Sequence, residues 1–193
     1  MAKQSVATLV ALIYLCLFNS SVHAGETSSA TLEPLNAITS LDIPRYLGSW
    51  YEIAKFPNWF QQKCVANTAA KYSLNNDGTL EVVNSCQLKN GATSVAIGQA
   101  KQIGLAHSPK LKVRFAPSWL SFIPLVWGDY WIIDLDDNYQ IAAVSEPKRE
   151  YLWILSRTPT VEPTLYAQLL IRLNAKGFNI QKLETTQQNK ETK

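Results

Sequence analysis

The chain has 193 residues, is 47% hydrophobic and carries a formal net charge of +3. That length predicts one domain with a sizeable core, and so mild a charge gives no support to a nucleic-acid partner. Beyond residue 25 no apolar run is long enough to cross a bilayer as a helix.

Residues 1–24 are expected to be a signal peptide. Lys3 supplies a short positive region, 6–18 is an apolar run apart from Thr8, and Val22-His23-Ala24 presents small residues for cleavage after Ala24. A lipid anchor at Cys16 is the rival, disfavoured because Tyr14 and Leu15 precede it where small residues belong. Residues 25–40 are polar and rich in Ser and Thr, which predicts a flexible lead-in before a domain at 41–184.

Residues 46–56 (YLGSWYEIAKF) follow a proline-containing turn and alternate: Gly48, Trp50, Glu52, Ala54 and Phe56 on one face, the rest on the other. Period-2 alternation with aromatic and β-branched residues predicts a strand. A glycine two residues before a tryptophan leaves room for close approach beside the indole.

Removal of the signal leaves Cys64 and Cys86, and an even count in an exported chain predicts a disulfide. Asn75-Asn76-Asp77-Gly78 is a hairpin turn joining strands at 66–74 and 79–88, which brings the cysteines to one end of the hairpin. They are out of simple register, so Cys64 is expected in the loop that enters its strand. A catalytic thiol is the competing role, and pairing would remove it.

Further strands are expected at 93–103, 110–116, 128–135, 139–145 and 151–157. With the first three the count is about eight. An all-β antiparallel meander of that size manages its edges by closing into an up-and-down barrel, wide enough to hold one small ligand. A helix follows, capped by Thr160, with Pro163 in its first turn and Gly177 as its stop. Val161, Leu165, Leu169, Leu170 and Leu173 form an apolar stripe, so the helix packs on the barrel's outside. Residues 178–183 suit a last short strand, and 185–193 are expected to be a disordered tail.

Three stretches resemble, in order, the signatures of the lipocalins, bacterial outer-membrane and apolipoprotein D-like members above all. They are LGSWYEIAKFP at 47–57, GDYWIIDLDDNYQIAAV at 128–144 and YLWILSRTPT at 151–160. The resemblance covers 43–183. It implies that Arg157 stacks on Trp50 at the closed end, with Gly48 completing the structural signature. Tyr130 matches the tyrosine of the second signature and is expected to face the cavity.

If Trp50 faces inward, Ala54 and Phe56 do as well. Trp153 shares a face with Arg157, and Val82, Val113 and Phe115 are further apolar candidates for the ligand wall. Such a wall selects a long hydrophobic ligand with a small polar head. The resemblance implies a fatty acid or lysophospholipid, held for lipid storage, transport and envelope maintenance. Burying ~10 methylenes at ~0.8 kcal/mol each corresponds to roughly micromolar gross affinity. A bilin or haem carrier and a lipid-modifying lipocalin enzyme are the alternatives.

No catalytic residue, metal site or cofactor is expected. His107 is the sole histidine after the signal, which argues against a Ser-His-Asp triad or a histidine-based zinc site. GxSxG, GxGxxG and P-loop motifs are missing from the sequence. Asp134, Asp136, Asp137 and Asn138 suggest calcium, but lack the glycine and closing glutamate of the EF-hand loop.

Residues 116–127 (APSWLSFIPLVW) carry Trp119, Phe122 and Trp127 where a turn is usually polar. Two readings stand: a lid over the ligand, with a homodimer contact as its variant, or a peripheral contact with the membrane. Export places the protein in the periplasm, at the outer membrane or outside the cell.

Overall fold

A computed structural model describes residues 32–117 and 120–189. The expected signal peptide, Cys16 and Trp119 lie outside the described residues.

Eight antiparallel strands close into a barrel: β1 Gly48–Lys55, β2 Cys64–Leu74, β3 Leu80–Leu88, β4 Thr93–Gln102, β5 Lys110–Arg114, β6 Gly128–Leu135, β7 Ile141–Ser145 and β8 Leu152–Ser156. Sequential hairpins pair neighbours, and β1 pairs with both β8 and β2, so the sheet has no free end there. A ninth strand, β9 (Glu184–Thr185), adds to β1. The sequence predicted this barrel because short alternating segments separated by turn residues close most simply as a meander.

A one-turn helix, α1 (Ile43–Tyr46), stands where a turn was expected; Asp42 caps it and Pro44 sits in its first turn. The outer helix, α2, spans Pro163–Ala175 and buries Leu169 and Leu173. Its cap is Glu162, whose carboxylate accepts from the amides of Thr164 and Leu165, and not Thr160. Those two bonds hold the Glu162 carboxyl below its usual pKa. Gly177 (φ 86°) ends the helix as expected. Residues 178–183 form no strand: a 3-10 turn covers Ile180–Lys182.

Two hydrophobic layers result. The inner layer includes Leu41, Tyr46, Trp50, Tyr72, Val82, Leu111, Ile132 and Leu155. The outer layer sets Leu35, Phe56, Ile133, Ile154, Leu169, Leu173 and Phe178 between wall and helix.

Two described segments, 32–40 and 185–189, make contacts that their polar composition did not predict. In the lead-in, Leu35 is buried in the outer layer and the Ile38 amide bonds the Ile132 carbonyl at 2.9 Å. Residues 184–189 of the tail are bonded to the wall. β1 and β2 pair only along Gly48–Tyr51, and beyond that the tail enters the gap between them. Thr186 donates its amide to the Ile53 carbonyl at 2.9 Å, and Asn67 donates to the Gln187 carbonyl at 2.8 Å. This polar segment is held because the two strands offer its backbone otherwise unmet groups.

Candidate functional site

The closed end is built from the first and third signature stretches. The Trp50 indole donates to the Tyr46 carbonyl at 2.8 Å, and the Arg157 guanidinium lies 3.9 Å over the Trp50 ring. Arg157 also donates to the carbonyls of Arg45, Ser49 and Tyr139 at 2.6, 2.9 and 3.2 Å. Gly48 has φ 92°, and a Cβ there would lie 3.4 Å from the Arg157 guanidinium. The glycine therefore serves a left-handed backbone and the close approach of a side chain.

Above this floor three tyrosines meet. The Tyr130 hydroxyl bonds Tyr46 at 3.0 Å and Tyr72 at 2.7 Å. Tyr46 and Tyr72 are buried, which raises both pKa values, that of Tyr72 to about 12; burial raises Tyr130 as well. All three hydroxyls are therefore neutral donors at physiological pH. Tyr130 pairs with Leu111, an inward residue, and packs on the same inner layer.

Val82, Val113, Tyr130 and Trp153 all join the inner layer. Phe115 lies at its edge. It is 44% exposed, and its ring occupies the space a Cβ at Gly98 would need.

Ala54 and Phe56 are corrections. A bulge at Ile53 inserts one extra residue: Glu52 pairs with inward Leu155, but Ala54 pairs with outward Ile154. The alternation flips there. Ala54 and Phe56 join the outer layer with Phe178, and line no ligand wall.

Glu52, two residues after Trp50, keeps the inward orientation and is 3% exposed. It accepts from Gln61 Nε2 at 2.7 Å and from Thr186 Oγ1 at 2.5 Å. Burial raises its pKa against those two bonds and the nearby Lys55 charge. Gln61 Oε1 in turn accepts from the Trp153 indole at 3.0 Å. Phe60 packs on Tyr151 and Trp153, so the 3-10 turn Trp59–Gln61 covers the mouth beside Trp153. A cleft of about 470 Å³ opens beside that turn, lined by Lys55, Trp59 and Glu184 among others.

Tyr46, Tyr72 and Glu52 were missed as site residues. Each carried a signal: Tyr46 precedes Trp50 by four residues, Tyr72 alternates with Ala70 on its strand, and Glu52 shares the Trp50 face.

Cys64 and Cys86 form a disulfide. Cys64 opens β2 rather than lying before it, and two irregularities in the β2–β3 register bring it beside Cys86. Asp134, grouped with the acidic turn from sequence, is turned outward by a second bulge and bound by Arg172. Asp136 accepts from the amides of Asn138, Gln140 and Ile141 and shapes the β6–β7 turn.

The lipocalin-like domain model matches residues 41–188. The chain belongs to the lipocalin family. This lipocalin is 43% identical over 157 residues to "Temperature-induced lipocalin-1" of Arabidopsis thaliana, covering 80% of this chain and 83% of that one. It is 37% identical over 155 residues to "Outer membrane lipoprotein Blc" of Escherichia coli (strain K12), with coverage of 80% and 83%. Against mouse apolipoprotein D (Mus musculus) the identity is 30% over 190 residues, covering 95% and 93%. The solved structure of insecticyanin from the tobacco hornworm Manduca sexta matches at TM-score 0.61 with 19% identity, covering 83% of this lipocalin and 86% of insecticyanin; it supports the fold alone.

Proposed function

We propose that this lipocalin is a binding protein for an acyl-chain lipid, a fatty acid or lysophospholipid, held in the barrel for storage or transport in an exported compartment. The observation that carries the reading is the inner layer of the closed barrel. It is apolar and aromatic, and Val113, Tyr130 and Trp153 are its partly buried members. The relative named an outer membrane lipoprotein supports an envelope setting.

The described residues of the 116–127 segment support entry from a membrane more than a lid. Trp127 does not enter the lumen. It lies between Lys101 and Arg114, 4.3 and 5.1 Å from its ring, which pins it to the outside of β4 and β5. Phe122 is 78% exposed and Leu125 94% exposed. Apolar side chains flanked by cations suit an anionic lipid interface.

Titration with a fatty acid or lysophospholipid, followed by tryptophan fluorescence, tests the binder. Saturation is expected in the micromolar range. Trp153→Ala is expected to weaken it about tenfold, the worth of one aromatic contact. Absence of binding below about 100 μM would remove the lipid reading. Phe122→Ser with Leu125→Ser is expected to reduce co-sedimentation with anionic vesicles. Unchanged vesicle binding by that folded variant would leave the lid or the dimer contact.

A further inference from the structure

The three tyrosines at the closed end hold one hydrogen too many. Tyr46, Tyr130 and Tyr72 bring three hydroxyl hydrogens to a chain of two hydrogen bonds. Whichever way the bonds run, two hydrogens are used and one remains. It lies on Tyr130 if both ends donate inward, and otherwise on Tyr46 or Tyr72. Among the described residues no further hydrogen bond involves these hydroxyls. A buried donor left unmet is costly, so a cluster of this kind is complete only when an acceptor meets it.

We propose that this cluster is the head-group subsite of the lumen: it takes one uncharged acceptor oxygen, the carbonyl of an ester or of a protonated carboxylic acid. The ligand then lies head-inward with its chain toward Trp153 and the mouth. The proposal rests on the lipid-binding reading above and narrows its ligand class.

Charge selects the uncharged form. Among the described residues the one buried cation is Arg114, which lies with Trp127 on the outer side of β5. Arg157 is engaged by the Trp50 ring and three backbone carbonyls. Lys55, toward the mouth, is paired with Glu184 at 2.8 Å. The inward carboxyl of Glu52 would repel a second carboxylate. Burying an ionised head among neutral hydroxyls, with no counter-charge, is strongly unfavourable. An ester or protonated acid incurs no such cost and accepts the spare hydrogen. A lysophospholipid must keep its charged head at the mouth, and its terminal methyl would leave the donor unmet. Tyr130 is the least enclosed of the three, since Tyr46 and Tyr72 are buried and Tyr130 is only partly so.

The test has two arms. In the first, hexadecane, methyl palmitate, palmitate and palmitoyl lysophosphatidylcholine compete for the lumen of the folded protein. Methyl palmitate is expected to bind about fivefold tighter than hexadecane, the worth of one net hydrogen bond. Tyr46→Phe/Tyr72→Phe/Tyr130→Phe together should erase that difference while hexadecane still binds. Single exchanges do not suffice, because two remaining hydroxyls still leave a spare hydrogen. The second arm needs no variant. Carboxyl-13C palmitate bound to the parent should give a carboxyl resonance that does not titrate between about pH 5 and pH 8. A resonance that titrates like an exposed carboxyl, or equal affinity for ester and alkane, overturns the head-inward subsite and leaves the binder intact. Failure of all four ligands to bind overturns both.

Discussion

Arg157 ties three separate parts of the chain together at one guanidinium: the α1 carbonyl of Arg45, the β1 carbonyl of Ser49 and the turn carbonyl of Tyr139. Arg157→Ala removes these bonds and the contact with Trp50, and is expected to cost about 2–4 kcal/mol in denaturant unfolding. Arg157→Lys should recover little, because an ammonium cannot reach three carbonyls and stack on an indole at once. Glu52 is the residue whose environment opposes its charge. Its folded pKa is raised above the ordinary 4.5, chiefly by burial. A group raised on folding binds its proton more tightly in the native state. Its favourable contribution is therefore complete below the ordinary value and is lost as pH rises through the folded value. Glu52→Gln is expected to raise Tm at neutral pH and to flatten the Tm profile above about pH 4.5. An unchanged profile would mean that Glu52 is hydrated in solution.

At the scale of elements, one ion pair joins helix to barrel. Arg172 of α2 meets Asp134 of β6 through two bonds, Nε to Oδ2 and a terminal nitrogen to Oδ1, each 2.8 Å. Asp134 is 7% exposed, and this pairing raises the Arg172 pKa. Arg172→Ala would strand a buried carboxylate and is expected to cost about 3 kcal/mol. The double variant Arg172→Ala/Asp134→Ala should recover part of that loss, because the stranded charge is gone. Equal losses in the single and double variants would show that the carboxylate is solvated without its partner. The bulge that aims Asp134 at the helix has a counterpart in β1. That one, at Ile53, aims Ala54 and Phe56 at the same outer layer.

Over the whole molecule, wall closure draws on distant segments. The disulfide spans 22 residues and fastens the start of β2 to β3, next to the stretch where β1 and β2 part. Reduction, or Cys64→Ser with Cys86→Ser, is expected to lower stability by about 3 kcal/mol. Native protein prepared under oxidising conditions should give no reaction with a thiol label at either position. Two free thiols in that material would refute the bridge.

The barrel and the order of its strands were legible in the sequence. So were the cysteine pair, the outer helix and the Trp50–Arg157 signature. All of these depend on local periodicity, turn chemistry or motif residues, which a linear chain displays. Other features depended on pairing between strands far apart. Period-2 alternation places Ala54 and Phe56 with Trp50, and only the register against β8 reveals the extra residue at Ile53. Polar composition predicts a loose tail, and only the parting of β1 from β2 explains why residues 184–189 are held. No spacing rule links Tyr46, Tyr72 and Tyr130, which lie on a helix and two strands that are not neighbours in the sheet. Their hydroxyls converge because closing the barrel turns all three strand and helix faces toward one axis, and that is a property of the tertiary structure alone.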